Sequence, residues 1–301
     1  MILCCGEALI DLIPGETETQ ALVGGSVLNT AVALGRLGAP VGLLTGISSD
    51  EYGQKIDAHL ADSHVASDLA IRNDRPTTLA VVRFENGQPQ YEFRDEGSAL
   101  RMITLADLPA IPDHVRAMVF GGISLIGTPV SDTLADACTG RPSGIVALLD
   151  ANVRPGFVDD APAYMARLKR MLASVEIIKV SDEDLEWLLP DAAQPIAELL
   201  QMGPQIVLFT KGADGAEAHT KSGIIARAAS QRVTVVDSVG AGDTFNAGFL
   251  KSMLDQGLLS SEGVATADEA ALTRALQLGA KAAAITVSRA GANPPWAHEL
   301  A

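Results

Sequence analysis

Apolar runs of four or five residues, rich in Val and Ile, recur at 41–44, 117–120, 145–149, 176–180 and 206–209, and stretches with helical spacing lie between them. Runs this short and this continuously apolar are strands buried on both faces, because a half-solvated strand would alternate polar and apolar residues. Helical patterns at 27–37, 53–61, 163–173, 182–189 and 268–284 supply cover for the two faces. Strand and helix in alternation predict an α/β fold of three layers, with a mainly parallel central sheet. Residues 1–11 read as a further strand, since no basic segment precedes them and Glu7 and Asp11 interrupt any secretory-signal pattern.

One stretch departs from this pattern. Residues 79–84 and 90–93 flank Glu85-Asn86-Gly87-Gln88-Pro89, where Asn-Gly predicts a tight turn and hence an antiparallel hairpin. A hairpin inserted in such a chain is either an edge addition or a lid over the carboxyl ends of the parallel strands. No repeat, low-complexity segment or Pro/Gly/Ser linker divides the chain. The expected organisation is therefore one core over 1–301 with a small lid, discontinuous in sequence, drawn from 12–23 and 72–100.

Composition removes several classes of function. A net charge of −15 with no local basic patch argues against nucleic acid as a partner. No apolar run approaches the length of a membrane span. The three cysteines include the adjacent pair Cys4 and Cys5, a poor disulfide framework that fits a reducing cytoplasm, and no His or Cys spacing suggests a transition-metal site. A Gly-x-Gly-x-x-Gly run after the first strand and a Walker-type Gly-Lys-Ser/Thr are both missing, which sets aside dinucleotide dehydrogenases and P-loop enzymes.

Chemistry concentrates in Val235-Val236-Asp237-Ser238-Val239-Gly240-Ala241-Gly242-Asp243-Thr244-Phe245. After a strand, the small residues Gly240, Ala241 and Gly242 let the backbone turn tightly and present N–H groups, and the helix that follows aims its positive end at the same point, so an anion hole is predicted. Asp243 in the first helical turn can take a proton from a hydroxyl attacking a bound phosphate, or can simply cap the helix. Near the N-terminus, Gly24 and Gly25 permit close approach of a ligand to the backbone, with Asn29 in the first turn of the next helix. Asp150-Ala151-Asn152-Val153-Arg154 closes a strand with three polar groups, of which Arg154 suits phosphate oxygens. Asp11, at the end of the first strand, reads as a turn residue or as an acceptor for two hydroxyls.

The run from Asp237 to Phe245 resembles the C-terminal signature of the ribokinase-like carbohydrate kinases, and the resemblance extends in order from Gly6 to about Asn293. It implies a ribokinase-like fold, with Asp243 as base, Gly240 to Gly242 as anion hole, and Asp11, Gly24, Gly25 and Asn29 gripping a sugar. It implies that Lys179 and Ser181 join phosphate organisation and that Asp184 helps with magnesium, although Ser181-x-x-Asp184 stands where many relatives carry Asn-x-x-Glu. Thr210, Lys211, Gly212 and Gly215 resemble the nucleotide-side loop. Residues 284–293, with Asp237 and Val239, resemble the loop that holds a monovalent cation such as potassium in relatives. Residues 93–101 and 120–127 resemble bacterial fructokinases, which implies ATP, magnesium and fructose as ligands, fructose 6-phosphate as product, and pairing of two copies through their lids. Arg94 and Arg101 near the sugar fit equally an acid such as 2-keto-3-deoxygluconate. A sugar-binding relative without activity would be expected to lose the base.

Overall fold

The computed structural model describes residues 1–15, 18–85 and 88–300. In chain order the first elements are β1 (Ile2–Cys5), β2 (Leu9–Pro14), β3 (Thr19–Gly24), α1 (Ser26–Arg36), β4 (Val41–Leu44), β5 (Gly46–Ser48), α2 (Glu51–Asp62), β6 (Ile71–Asn73), β7 (Leu79–Glu85) and β8 (Gln88–Arg94). There follow β9 (Ala117–Gly121), α3 (Val130–Thr139), β10 (Val146–Asp150), α4 (Ala161–Leu172), β11 (Ile177–Ser181), α5 (Asp182–Leu188) and α6 (Pro195–Met202). The last are β12 (Ile206–Thr210), β13 (Ala216–Thr220), β14 (Ile225–Ala228), α7 (Ala241–Asp255), α8 (Ser261–Thr266) and α9 (Glu269–Val287).

Eight strands form the main sheet in the order β14-β13-β12-β11-β10-β9-β1-β4. The six from β12 to β4 are parallel, and β13 and β14 extend the edge antiparallel. Because successive side chains of a strand point to opposite faces, β1 feeds two cores: Ile2 and Cys4 pack on the side of α1 and α7, Leu3 and Cys5 on the side of α3 and α4. That is the three-layer arrangement the apolar runs predict.

A second sheet has the order β3-β2-β7-β8. The predicted hairpin supplies β7 and β8, paired from Leu79↔Arg94 to Glu85↔Gln88, while its Asn86-Gly87 turn lies outside the described residues. Its other half comes from residues 9–24, far earlier in the chain, with β2 parallel to β7. Phe93 of β8 meets Phe157, beyond β10, edge to face at 4.5 Å between ring centroids, so this sheet touches the core next to the carboxyl end of β10.

Two sequence expectations need correction. Residues 1–11 are not one strand: the Gly6 amide makes a last bond to the Leu44 carbonyl, the chain then leaves the main sheet, and Asp11 sits inside β2 rather than at the end of β1. Nor is the run ahead of Gly240 a strand. The amides of Val236 and Asp237 both bond to the Val287 carbonyl at the end of α9, and Val235 and Val236 stand 64% and 60% exposed. Their β-branched character favours a strand, but they pair with no strand of the described sheets. Among the described residues, no helix is long and apolar enough to cross a membrane.

Candidate active site

Helices usually satisfy their first N–H groups with a side-chain cap, and α2, α4, α5, α8 and α9 do so through Asp50, Asp160, Ser181, Ser260 and Asp268. The helices α1 and α7 begin instead on Gly25 and Gly240, neither of which can offer a cap. Gly240 holds φ 77°, a left-handed turn that suits glycine, and so bends the chain into α7; the Ala241 amide donates to the Ser238 carbonyl at 3.3 Å, and the Gly242 and Asp243 amides have no partner among the described residues. Of the amides predicted to form an anion hole at Gly240, Ala241 and Gly242, that of Ala241 is thus engaged by Ser238.

Asp243 stands in the first turn of α7, 7% exposed. Asn29, from the first turns of α1, donates its Nδ2 to Asp243 Oδ2 at 2.9 Å, and Oδ1 accepts no hydrogen bond from the described residues. Burial pushes the Asp243 carboxyl up to about 7, with the Asn29 bond pulling the other way and Asp150 adding to the rise. Its environment therefore gives it a proton affinity suited to a base near neutral pH.

Below it, Lys179 Nζ pairs with Asp150 Oδ1 at 3.1 Å, and the other Asp150 oxygen accepts from Asn246 Nδ2 at 2.6 Å. Burial alone would lower the ammonium, but the nearby Asp150 and Asp184 outweigh it, so Lys179 is raised and stays charged. Asp184 Oδ2 accepts from the Ser181 amide and hydroxyl, closing a capping box on α5, while Oδ1 accepts from the Val153 amide at 2.7 Å. Asp184 thereby ties α5 to the loop carrying Asn152 and Arg154. Arg154 itself is exposed, its Nη1 on the Val153 carbonyl.

The sugar-side residues meet across β2 and β3. A Cβ on Gly24 would lie 2.2 Å from Asp11 Oδ2, so only glycine leaves that carboxylate its place. Asp11 accepts no hydrogen bond from the described residues, and burial pushes it up to about 6. Gly25 then opens α1, whose Asn29 amide bonds back to the Gly25 carbonyl at 2.8 Å.

Other predicted residues are engaged elsewhere. Arg94 is half exposed and pairs with Glu92, and Arg101 binds Asp95 at 2.6 Å and the Thr128 carbonyl at 2.5 Å. Lys211 pairs with Glu217, which His219 and Arg227 also hold and which lies well down, at about 2. Thr210 Oγ1 donates to the Val180 carbonyl, and Gly212 and Gly215 shape the turn between β12 and β13. Asp237 joins two loops, accepting from the amides of Val239 and Gly291. Among the described residues, no three His, Cys, Asp or Glu side chains gather as a metal cage. A magnesium ion carried on nucleotide phosphates needs none, since it keeps most of its ligands as phosphate oxygens and water.

Sequence reasoning missed Glu7 and Asn246. Glu7 is buried and accepts from the Ser26 amide and hydroxyl and from the Ser124 amide, joining the start of α1 to the loop after β9. The available signals were an acid inside the first apolar run and an amide three residues after Asp243, within the apolar first half of the same helix.

Taken together, a buried carboxylate beside a helix start without a side-chain cap could take up a proton next to a bound anion, the pairing that phosphoryl transfer needs. Residues 1–299 match the pfkB family of carbohydrate kinases. The chain is 47% identical over 279 residues to a fructokinase of Rhizobium leguminosarum bv. trifolii, covering 90% of this chain and 85% of that one. A fructokinase of Escherichia coli is 28% identical over 95% of this chain and 93% of its own. Among solved structures, a fructokinase of Xylella fastidiosa with bound ATP superposes with a TM-score of 0.90 at 25% identity, covering 99% of this chain and 96% of that one. The chain belongs to the pfkB family of carbohydrate kinases.

Proposed function

We propose that the chain transfers the γ-phosphoryl group of ATP to the terminal hydroxymethyl oxygen of fructose, giving fructose 6-phosphate. The likeness to the rhizobial fructokinase over 90% of the chain carries the choice of sugar. In this reading Asp243 accepts the proton of the attacking hydroxyl and Asn29 holds its carboxylate in place. The first amides of α7 receive the phosphoryl oxygens, and Arg154 at the rim adds positive charge. Asp11 and the Gly24-Gly25 turn hold the sugar, and the second sheet closes over it to exclude water. Magnesium and a monovalent cation belong to the same proposal, the first arriving with the nucleotide.

A keto-acid substrate needs a guanidinium free for its carboxylate, whereas Arg94 and Arg101 already pair with Glu92 and Asp95. That favours a neutral sugar. A coupled ADP-release assay with magnesium-ATP across fructose, ribose, adenosine, 2-keto-3-deoxygluconate and a no-sugar control, in potassium and in sodium, tests the choice. Fructose should support the highest kcat/KM; turnover with the keto acid alone would replace fructose as the substrate.

The environment of Asp243 also sets a pH dependence. A base must be ionised before it can accept a proton, and this carboxyl ionises at about 7. Accordingly kcat/KM should fall about tenfold per unit as pH drops below that value and level off above it. An acid limb near the ordinary carboxylate range would contradict the assignment.

A further inference from the structure

Where the chain leaves the main sheet after Gly6, the next side chain, Glu7, turns into the protein and is 1% exposed. Its Oε1 accepts from the Ser26 amide at 3.1 Å and the Ser26 hydroxyl at 2.8 Å, and its Oε2 from the Ser124 amide at 3.2 Å. All three donors are neutral, so no cation among its bonded partners offsets the charge. A buried carboxylate held this way costs more desolvation than an amide of the same shape, so stability alone is a poor reason for an acid here.

What the carboxylate holds supplies a better one. The Glu7 carbonyl accepts from the Leu28 amide at 3.2 Å, so Glu7 engages the first turn of α1 with both main chain and side chain. It thereby replaces the side-chain cap that Gly25 cannot offer. Two glycines leave room for it: a Cβ on Gly25 would come within 2.9 Å of the Glu7 carbonyl, and one on Gly122 would meet Oε1 and the Ser26 hydroxyl. Residues of the site flank this anchor on α1. Gly24 packs beside the Asp11 carboxylate, and Asn29, three residues beyond Ser26, donates to Asp243 at 2.9 Å.

We propose that Glu7 is a positioning residue for phosphoryl transfer: anchored on Ser124, it fixes the start of α1 and thereby the Asn29 amide against the Asp243 carboxylate. This rests on the reading of Asp243 as the base. A base acts only when it is oriented toward the attacking hydroxyl, and Asn29 is the one side chain among the described residues that hydrogen-bonds to Asp243. The charge of Glu7 bears on the same carboxylate. Burial is the chief cause of the rise at Asp243; the Asn29 bond and Lys179 from β11 oppose it, and Asp150 from β10 and Glu7 add to it.

The test is a double-mutant cycle of Glu7→Gln and Asn29→Ala, reading kcat, both KM values and the thermal midpoint. Gln keeps the shape but has a single acceptor oxygen, so the hold on Ser26 or on Ser124 is lost whichever way the amide turns. In the parent background kcat should fall about 10-fold, the effect of one hydrogen bond to a charged group, with the KM for ATP within about twofold. In the Asn29→Ala background the same substitution should change kcat by less than about twofold, because the group it positions is already gone. Equal losses in the two backgrounds would mean that Glu7 acts independently of Asn29, as a strut of the fold does, and would overturn the inference while leaving Asp243 as base. If Glu7→Gln melts below the assay temperature, Ser26→Ala takes its place in the cycle: it removes the 2.8 Å bond to Oε1 and keeps every charge, and equal losses in the two backgrounds would overturn the inference in the same way. Unchanged turnover in Asp243→Asn would instead remove the base, and this inference with it.

Discussion

Replacing Asp243 by Asn should lower kcat by about 1,000-fold while leaving the KM for ATP and the thermal midpoint close to those of the parent protein. The substitution keeps the shape of the side chain and the partnership with Asn29, but the amide cannot take up the proton of the attacking hydroxyl. The amides of α7 and the charge around them are untouched, so nucleotide binding has no reason to change. Stability has a definite sign as well. A carboxyl raised from 3.8 to about 7 on folding binds its proton more tightly in the folded state, so its stabilising contribution is full below about 4 and is lost as pH rises through about 7. At pH 8 the parent carries a buried charge that the Asn variant does not, so the variant should melt no lower than the parent. Steady-state kinetics and thermal melts at pH 8 decide the matter: turnover within tenfold of the parent would exclude Asp243 as base, and a large drop in melting point would turn the kinetic loss into a folding defect.

The parts of this site legible in the sequence are those set by local chemistry. Gly240-Ala241-Gly242 ahead of an apolar helix announces an uncapped helix start, and short apolar runs separated by helical spacing announce the parallel sheet. What joins these parts is not local. Asn29 and Asp243 are 214 residues apart, Asp150 and Asn246 are 96 apart, and no periodicity encodes either bond. Ser181 and Asp184 show the converse: their spacing reads as a ligand pattern, yet it also satisfies a capping box, and the second Asp184 oxygen is taken by the Val153 amide. Arg101 and Lys211 carry charges that suit a substrate, but acids supplied by neighbouring structure, Asp95 and Glu217, already hold them. Val235 and Val236 have the composition of a strand, and only the structure reveals that the backbone there bonds to the Val287 carbonyl at the end of α9 instead of to a strand.

Asp11 should be the residue that separates sugar binding from nucleotide binding. It lies on β2 of the second sheet, a different element from α7, with a carboxylate that the described residues leave without a donor. Burial raises it to about 6 with no compensating protein bond, so a ligand hydroxyl offers the missing hydrogen bonds. Each bond to an ionised carboxylate contributes about 1.5–3 kcal/mol, and replacing Asp11 by Ala should therefore cut kcat/KM for the sugar by about 100-fold, mostly through KM, with the KM for ATP unchanged. Gly24→Ala reaches the same carboxylate from the opposite strand, since its methyl group would lie 2.2 Å from Oδ2 and must displace it. The two substitutions, one removing the carboxylate and the other moving it, should raise the same constant. Protonation gives a third route to that result: as pH falls through about 6 the sugar KM of the parent should climb, and the Asp11→Ala variant should lose that climb. A rise in the KM for ATP that matched the rise for sugar would instead mean that Asp11 serves the closure of the second sheet as a whole and does not itself hold the sugar.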